Sequence, residues 1–178
     1  EITLVTRQWP QNADPRIKPL IVDPPYLGRT MRDARFAHAA CNALAGLPGT
    51  LVQSHERIPC CDIYRAGDGV HAVWVEERME SASAAERIAL SASAYHRYMM
   101  GAEKRLFESP RLKQVICISR MVQDEIHERF GLPRERLPVI YNAIDGEVWS
   151  PWLARHREEI RARYKIPRDA CVFLIVGS

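Results

Sequence analysis

Asp68 stands between two glycines in "RAGDGV", residues 65–70, just past a short β-type run. A carboxylate on so open a loop can accept a proton from a hydroxyl or steady a developing positive charge. The same Gly-Asp-Gly spacing also suits a plain tight turn. His55, Glu56 and Arg57 follow the run "TLVQS" and offer groups that can meet hydroxyls or phosphates, although charged loop residues are more often simply solvated. Tyr64 and Arg65 precede Asp68 and add an aromatic contact and a second guanidinium. Ser119 closes "QVICIS", where its hydroxyl can donate to a ligand or cap the helix after it. Asn142 and Asp145 carry short polar side chains that hydrogen-bond nearby backbone and so hold a bend.

His55, Glu56, Arg57, Asp68, Ser119 and Asn142 share one placement: each comes at the end of a strand-like run. "EITLVT" and "PLIVD" read as strands, with a Pro/Asn/Asp turn region between them and Pro24-Pro25 after the second. From Arg29 to Leu44, the positions Met31, Ala34, Phe36, Ala39, Ala40 and Leu44 mark one helical face. "TLVQS" is a third strand, and "CDIYRAGDGVHAVWV" mixes strand and loop residues. Residues 77–108 predict one long helix, with a break near Ser81–Ser83. "QVICIS" is a buried strand, and Ser119 opens "RMVQDEIHERF", closed by Gly131 and Pro133. "RLPVIY", the charged helix "REEIRARYK" and a last strand "CVFLIV" complete the pattern. Strands alternating with helices predict an α/β fold, a Rossmann-like, mostly parallel sheet covered on both faces. In such sheets ligands sit at the carboxyl ends of the strands.

The chain has 178 residues, the size of one α/β domain, and a net charge of +3. That charge is too mild to argue for an anionic partner. No base-stacking or groove-reading motif accompanies it, so nucleic acid is not expected. Five cysteines include the adjacent pair Cys60-Cys61 but no Cys-x-x-Cys, which points away from disulfide or zinc frameworks and toward a reducing cytosol. Cys117 and Cys171 lie in apolar runs and read as core. No apolar stretch approaches the ~20 residues of a membrane span. Arg29, Arg32 and Arg35 recur every three residues on a helix, a spacing that suits a phosphorylated lipid or an anionic membrane face and equally a solvated one.

The run "VICISRMVQDEIHERFGLPRERLPVIYNAIDGEVWSPW", with "REEIRARYKIPRDACVFLIVGS" after it, resembles the domain junction of family 4 glycosyltransferases, retaining enzymes of the GT-B fold. Ser119, Gly131, Asn142, Ile144, Asp145, Trp149 and Pro151 fill the places of that pattern, while Ala143 replaces its usual glycine. Within the family, "PCCDIYRAGDGVHAVWVEER" is similar to lipopolysaccharide-core glucosyltransferases that add a hexose to heptose, which carry a Pro-x-x-Asp-hydrophobic-Tyr-x-Ala-x-Asp run here. The resemblance implies transfer of a hexose with retention from a nucleotide-sugar, UDP-glucose foremost, to a lipopolysaccharide-core or similar glycan. Asp68 would then be the catalytic carboxylate. His55, Glu56, Arg57, Tyr64 and Arg65 would meet the acceptor, and Ser119, Asn142 and Asp145 would line the hinge and cleft. It implies no cofactor and no metal, in keeping with the absence of an Asp-x-Asp pair, and a cytoplasmic enzyme, peripheral on the inner membrane.

It also implies a fragment. Residues 1–150 would form the amino-terminal, acceptor-side domain without its first strand, since "EITLVT" resembles the family's second strand and the chain opens without Met. Residues 151–178 would be an interdomain helix and the first strand of an absent donor-binding domain, where the family keeps its nucleotide-sugar residues. "VFLIV" would fill the open slot in the sheet or pair with a second copy in a homodimer. Two other readings stay open: a family 4 enzyme with another acceptor, and a stand-alone, non-catalytic α/β domain that binds a ligand or partner.

Overall fold

The computed structural model describes residues 1–9, 14–146 and 156–175. Residues 1–141 form one compact unit and 142–178 a second. Trp149, Pro151 and Trp152, the aromatic-proline turn of the junction reading, lie outside the described residues.

In the first unit the strands are β1 (Ile2–Thr6), β2 (Ile17–Ile21), β3 (Gln53–Ser54), β4 (Ile63–Ala66) and β5 (Gln114–Cys117). The helices are α1 (Gly28–Ala45), α2 (His71–Ser81), α3 (Ala84–Ala92), α4 (Ala94–Phe107) and α5 (Arg120–Phe130). All pairings of these strands are parallel: β1 lies beside β2, and β4 lies between β3 and β5. The α/β, parallel-sheet reading therefore holds. "RLPVIY" contributes only a single parallel bridge, Val139 opposite Cys117.

The core gathers where β4 and β5 meet α4 and α5. Tyr64 and Ala66 from β4, Val115 and Cys117 from β5, Leu106 and Phe107 from α4, and Val122 and Ile126 from α5 are all buried. Period-two burial along β4 and β5 and a three-to-four-residue stripe on each helix put these side chains on facing surfaces. Helix α5 ends as its sequence predicts: the Ser119 hydroxyl accepts the Val122 amide at 3.2 Å, and Gly131 takes the left-handed conformation at φ 68°.

Three expectations are corrected. The stretch read as one long helix has the break expected near Ser81–Ser83, at Ala82, and a second, unexpected one at Ser93, because a serine at each break caps the next helix in preference to continuing the last. Ser83 and Glu86 form a capping box, and the Ser93 hydroxyl accepts the His96 amide. Cys41 and Cys60 form a disulfide, tying α1 to the loop before β4, which removes the cysteine argument for a reducing compartment. Cys171 is exposed rather than core, although Cys117 is buried as expected.

In the second unit, α6 spans Arg157–Arg163 within the expected charged helix. Its Arg161 is buried and donates through Nη2 to the carbonyls of Pro167, Arg168 and Ala170, which folds the following turn back on the helix. Residues 171–175 form no strand. Phe173 and Ile175 are 90% and 94% exposed.

Candidate active site

The loop from Gly67 to Val70 leaves the carboxyl end of β4 and enters α2, the place where a parallel sheet presents ligand-binding groups. The two aspartates of the Pro-x-x-Asp…Asp run sit at opposite ends of this strand and do different work. Asp62, at the amino end, is buried. Its Oδ2 accepts the Val52 amide at 2.9 Å, and Lys113 Nζ lies 3.1 Å from Oδ1. The Val52 hydrogen bond and then the Lys113 charge hold its carboxyl below the ordinary 3.8. Asp62 therefore clamps β3, β4 and the start of β5. Asp68, at the carboxyl end, is open to chemistry, with 68% of its side chain exposed.

Asp68 is held from beneath. Arg57 Nη2 lies 3.2 Å from Asp68 Oδ1 and donates to the Gly69 carbonyl at 3.3 Å. Its Nε donates to Glu103 Oε1 at 3.0 Å. Burial works against the Arg57 charge, but the phenol of Tyr64 and the carboxylates of Asp68 and Glu103 outweigh it and raise its pKa. Glu103, only 1% exposed on α4, also accepts the His71 amide at 2.7 Å, so it caps the first turn of α2. Burial raises its pKa above the ordinary 4.5, opposed by the His71 amide and Arg57. A second carboxylate from α5 completes the loop: Glu125 Oε2 accepts the Val70 amide at 2.7 Å. It passes so near Gly69 that a Cβ there would lie 2.7 Å from it. That close approach, not a turn with positive φ, accounts for this glycine.

The other sequence-predicted residues divide. Tyr64 is 2% exposed and packs edge-on against Phe107, so its ring supports the site from the core instead of lining it, and burial pushes its pKa up. Arg65 is half-buried on the other face of β4. Glu56 lines a separate cavity of about 520 Å³ with Arg7, Arg32, Asp33 and Arg57, at the carboxyl ends of β1 and β3. His55 is exposed and turns toward Gln53, with ring and amide nitrogens 3.4 Å apart. Ser119 serves as the α5 cap. Asn142 and Asp145 belong to the second unit. In the arginine stripe, Arg29 lies 3.5 Å from the Tyr95 ring centre, Arg32 pairs with Asp33, and Arg35 donates to the Pro25 carbonyl, while Arg29 and Arg35 stay exposed.

Sequence reading missed Glu103 and the residues around His71. A carboxylate inside the apolar stripe of Ala102, Leu106 and Phe107 was the available signal for the first. His71 Nε2 and His96 Nδ1 lie 2.9 Å apart, and Trp74 stacks on His71 with ring centres 5.6 Å apart. With Tyr95 they border a recess of about 490 Å³ beside Asp68 and Glu77. Burial first, then the His96 and Arg57 charges, lower the His71 pKa from 6.5 to about 4, so this ring is neutral at pH 7. Among the described residues, no helix is long and apolar enough to cross a membrane.

The chain resembles the crystal structure of WaaG, a glycosyltransferase involved in lipopolysaccharide biosynthesis, with a TM-score of 0.72 at 17% sequence identity. The match covers 93% of this chain and 43% of that one, so the chain spans less than half the length of that structure. The likeness shows the fold, an α/β unit of the GT-B kind. No curated protein sequence matches at a significant level. Residues 1–148 match the model of Glycosyltransferase Family 4, most of the 178 residues, and the chain accordingly belongs to that family.

Proposed function

We propose that this chain is the acceptor-side part of a retaining hexosyltransferase that moves a hexose, foremost glucose from UDP-glucose, to a lipopolysaccharide-core type glycan. The observation that carries the reading is the Asp68 carboxylate. It is exposed at the carboxyl end of β4, yet fixed by a buried guanidinium that Glu103 holds from the other side. Asp68 accepts the proton of the incoming acceptor hydroxyl. Arg57, 3.2 Å away, keeps it aimed, so little reorganisation is needed when charge develops. The nucleotide-sugar is a substrate, brought by residues beyond those that build this site. Family membership and the WaaG-like fold support glycosyl transfer, and the Pro-x-x-Asp…Asp run supports the choice of acceptor.

The test uses the protein expressed from its natural gene, UDP-glucose and other nucleotide-sugars, and a truncated lipopolysaccharide core ending in heptose. The expected product carries a new hexose in the donor's anomeric configuration, read by proton NMR coupling. Asp68→Asn should lower kcat about 10²–10⁴-fold, the usual contribution of a positioned base, with an unchanged circular-dichroism spectrum. A variant that transfers at the wild-type rate would remove Asp68 from the mechanism. An inverted product would remove the retaining assignment.

A further inference from the structure

We propose that the recess between the first turns of α2 and α4 is a carbohydrate subsite, holding one pyranose ring of the acceptor against the Trp74 indole beside Asp68 and Glu77. The inference rests on the glycosyl-transfer reading for the word acceptor, and on the geometry alone for the sugar.

Helix α2 buries Ala72 and Val75 in the molecule, while Trp74 and Glu77, three residues apart, share another face. Packing of α2 against its neighbours does not require an indole there, and Trp74 remains 48% exposed. It is nevertheless fixed, stacked on His71 and tilted against His96 at 5.6 Å. A rigid, half-exposed aromatic surface takes the axial C–H face of a pyranose at little entropic cost. The rim supplies what the edge of a sugar needs. Asp68 and Glu77 accept hydrogen bonds from hydroxyls, and the neutral His71 ring keeps a solvated charge away from the stacking surface. The recess falls within the ~300–1,000 Å³ range of small-molecule sites and combines apolar walls with a few polar groups, the composition of such sites. Arg29, 3.5 Å over the Tyr95 ring, also lines the recess.

The experiment is saturation-transfer-difference NMR on the 178-residue chain, with methyl glycosides of glucose, mannose and galactose, L-glycero-D-manno-heptose, and open-chain sorbitol as control. At least one pyranose should show transfer strongest at the ring protons of one face, sorbitol none. Trp74→Ala should reduce the signal at least fivefold, while Trp74→Phe, which keeps an aromatic face, retains most of it. Equal signals from sorbitol, no transfer from any pyranose, or transfer unchanged in a folded Trp74→Ala chain would each overturn the subsite. The two readings separate cleanly: loss of transferase activity in Asp68→Asn with no saturation transfer leaves catalysis standing and removes the platform. Saturation transfer that depends on Trp74 with full activity in Asp68→Asn does the reverse.

Discussion

At His71 the folded chain prefers a neutral imidazole, since burial and the nearby positive groups oppose its proton. The unfolded ring binds that proton near pH 6.5 and the folded ring only near 4. The unfolded state therefore gains protons first, and the stability held by the neutral ring is complete above pH 6.5 and lost as pH falls toward 4. Glu103 works in the opposite sense, because its folded pKa lies above the ordinary value and its contribution is lost as pH rises. The clean observable is thus a difference. Urea midpoints of wild type and His71→Gln should diverge between pH 6.5 and 4, with the wild type losing more. Asp62, whose pKa lies below 3.8, adds its own loss only at more acidic pH.

The start of α2 depends on a charge contributed by α4. Glu103 accepts the His71 amide and pairs with Arg57, so truncating it leaves a buried guanidinium with fewer partners and an uncapped first turn. Glu103→Ala should cost about 3–5 kcal/mol in urea unfolding, the range for breaking a buried pair from one side. Arg57→Met combined with Glu103→Leu should recover much of that loss, because the uncompensated charge goes too. Elements such as α5 were legible because local chemistry decides them: Ser119, the apolar spacing of Val122 and Ile126, and Gly131 lie within one short stretch. The start of α2 was not legible. Its β-branched and aromatic residues, Val73, Trp74 and Val75, favour a strand by propensity, and the capping carboxylate lies 32 residues further on. Asp68 could be found from its glycines and its place in a motif. Glu103 and the His71–His96 pair exist as a site only once α2 and α4 are brought together.

Across the molecule, the parallel arrangement followed from alternation of strand and helix runs, whereas the Cys41–Cys60 link did not, since pairing over 19 residues depends on where α1 lands. The link closes a loop of a size worth about 3 kcal/mol through the unfolded chain. Denaturation with and without reductant should differ by roughly that amount, and Cys41→Ser should abolish the difference.

The segment Val172–Ile175 has a consequence for handling the protein. Four consecutive apolar, β-prone side chains without a charge stand in solvent, the signature of a segment that self-associates by stacking. The chain should gain thioflavin-binding, concentration-dependent turbidity on storage, and Leu174→Lys should suppress it without moving the unfolding midpoint. Solubility would then be set by a handful of exposed residues at one end of the described chain.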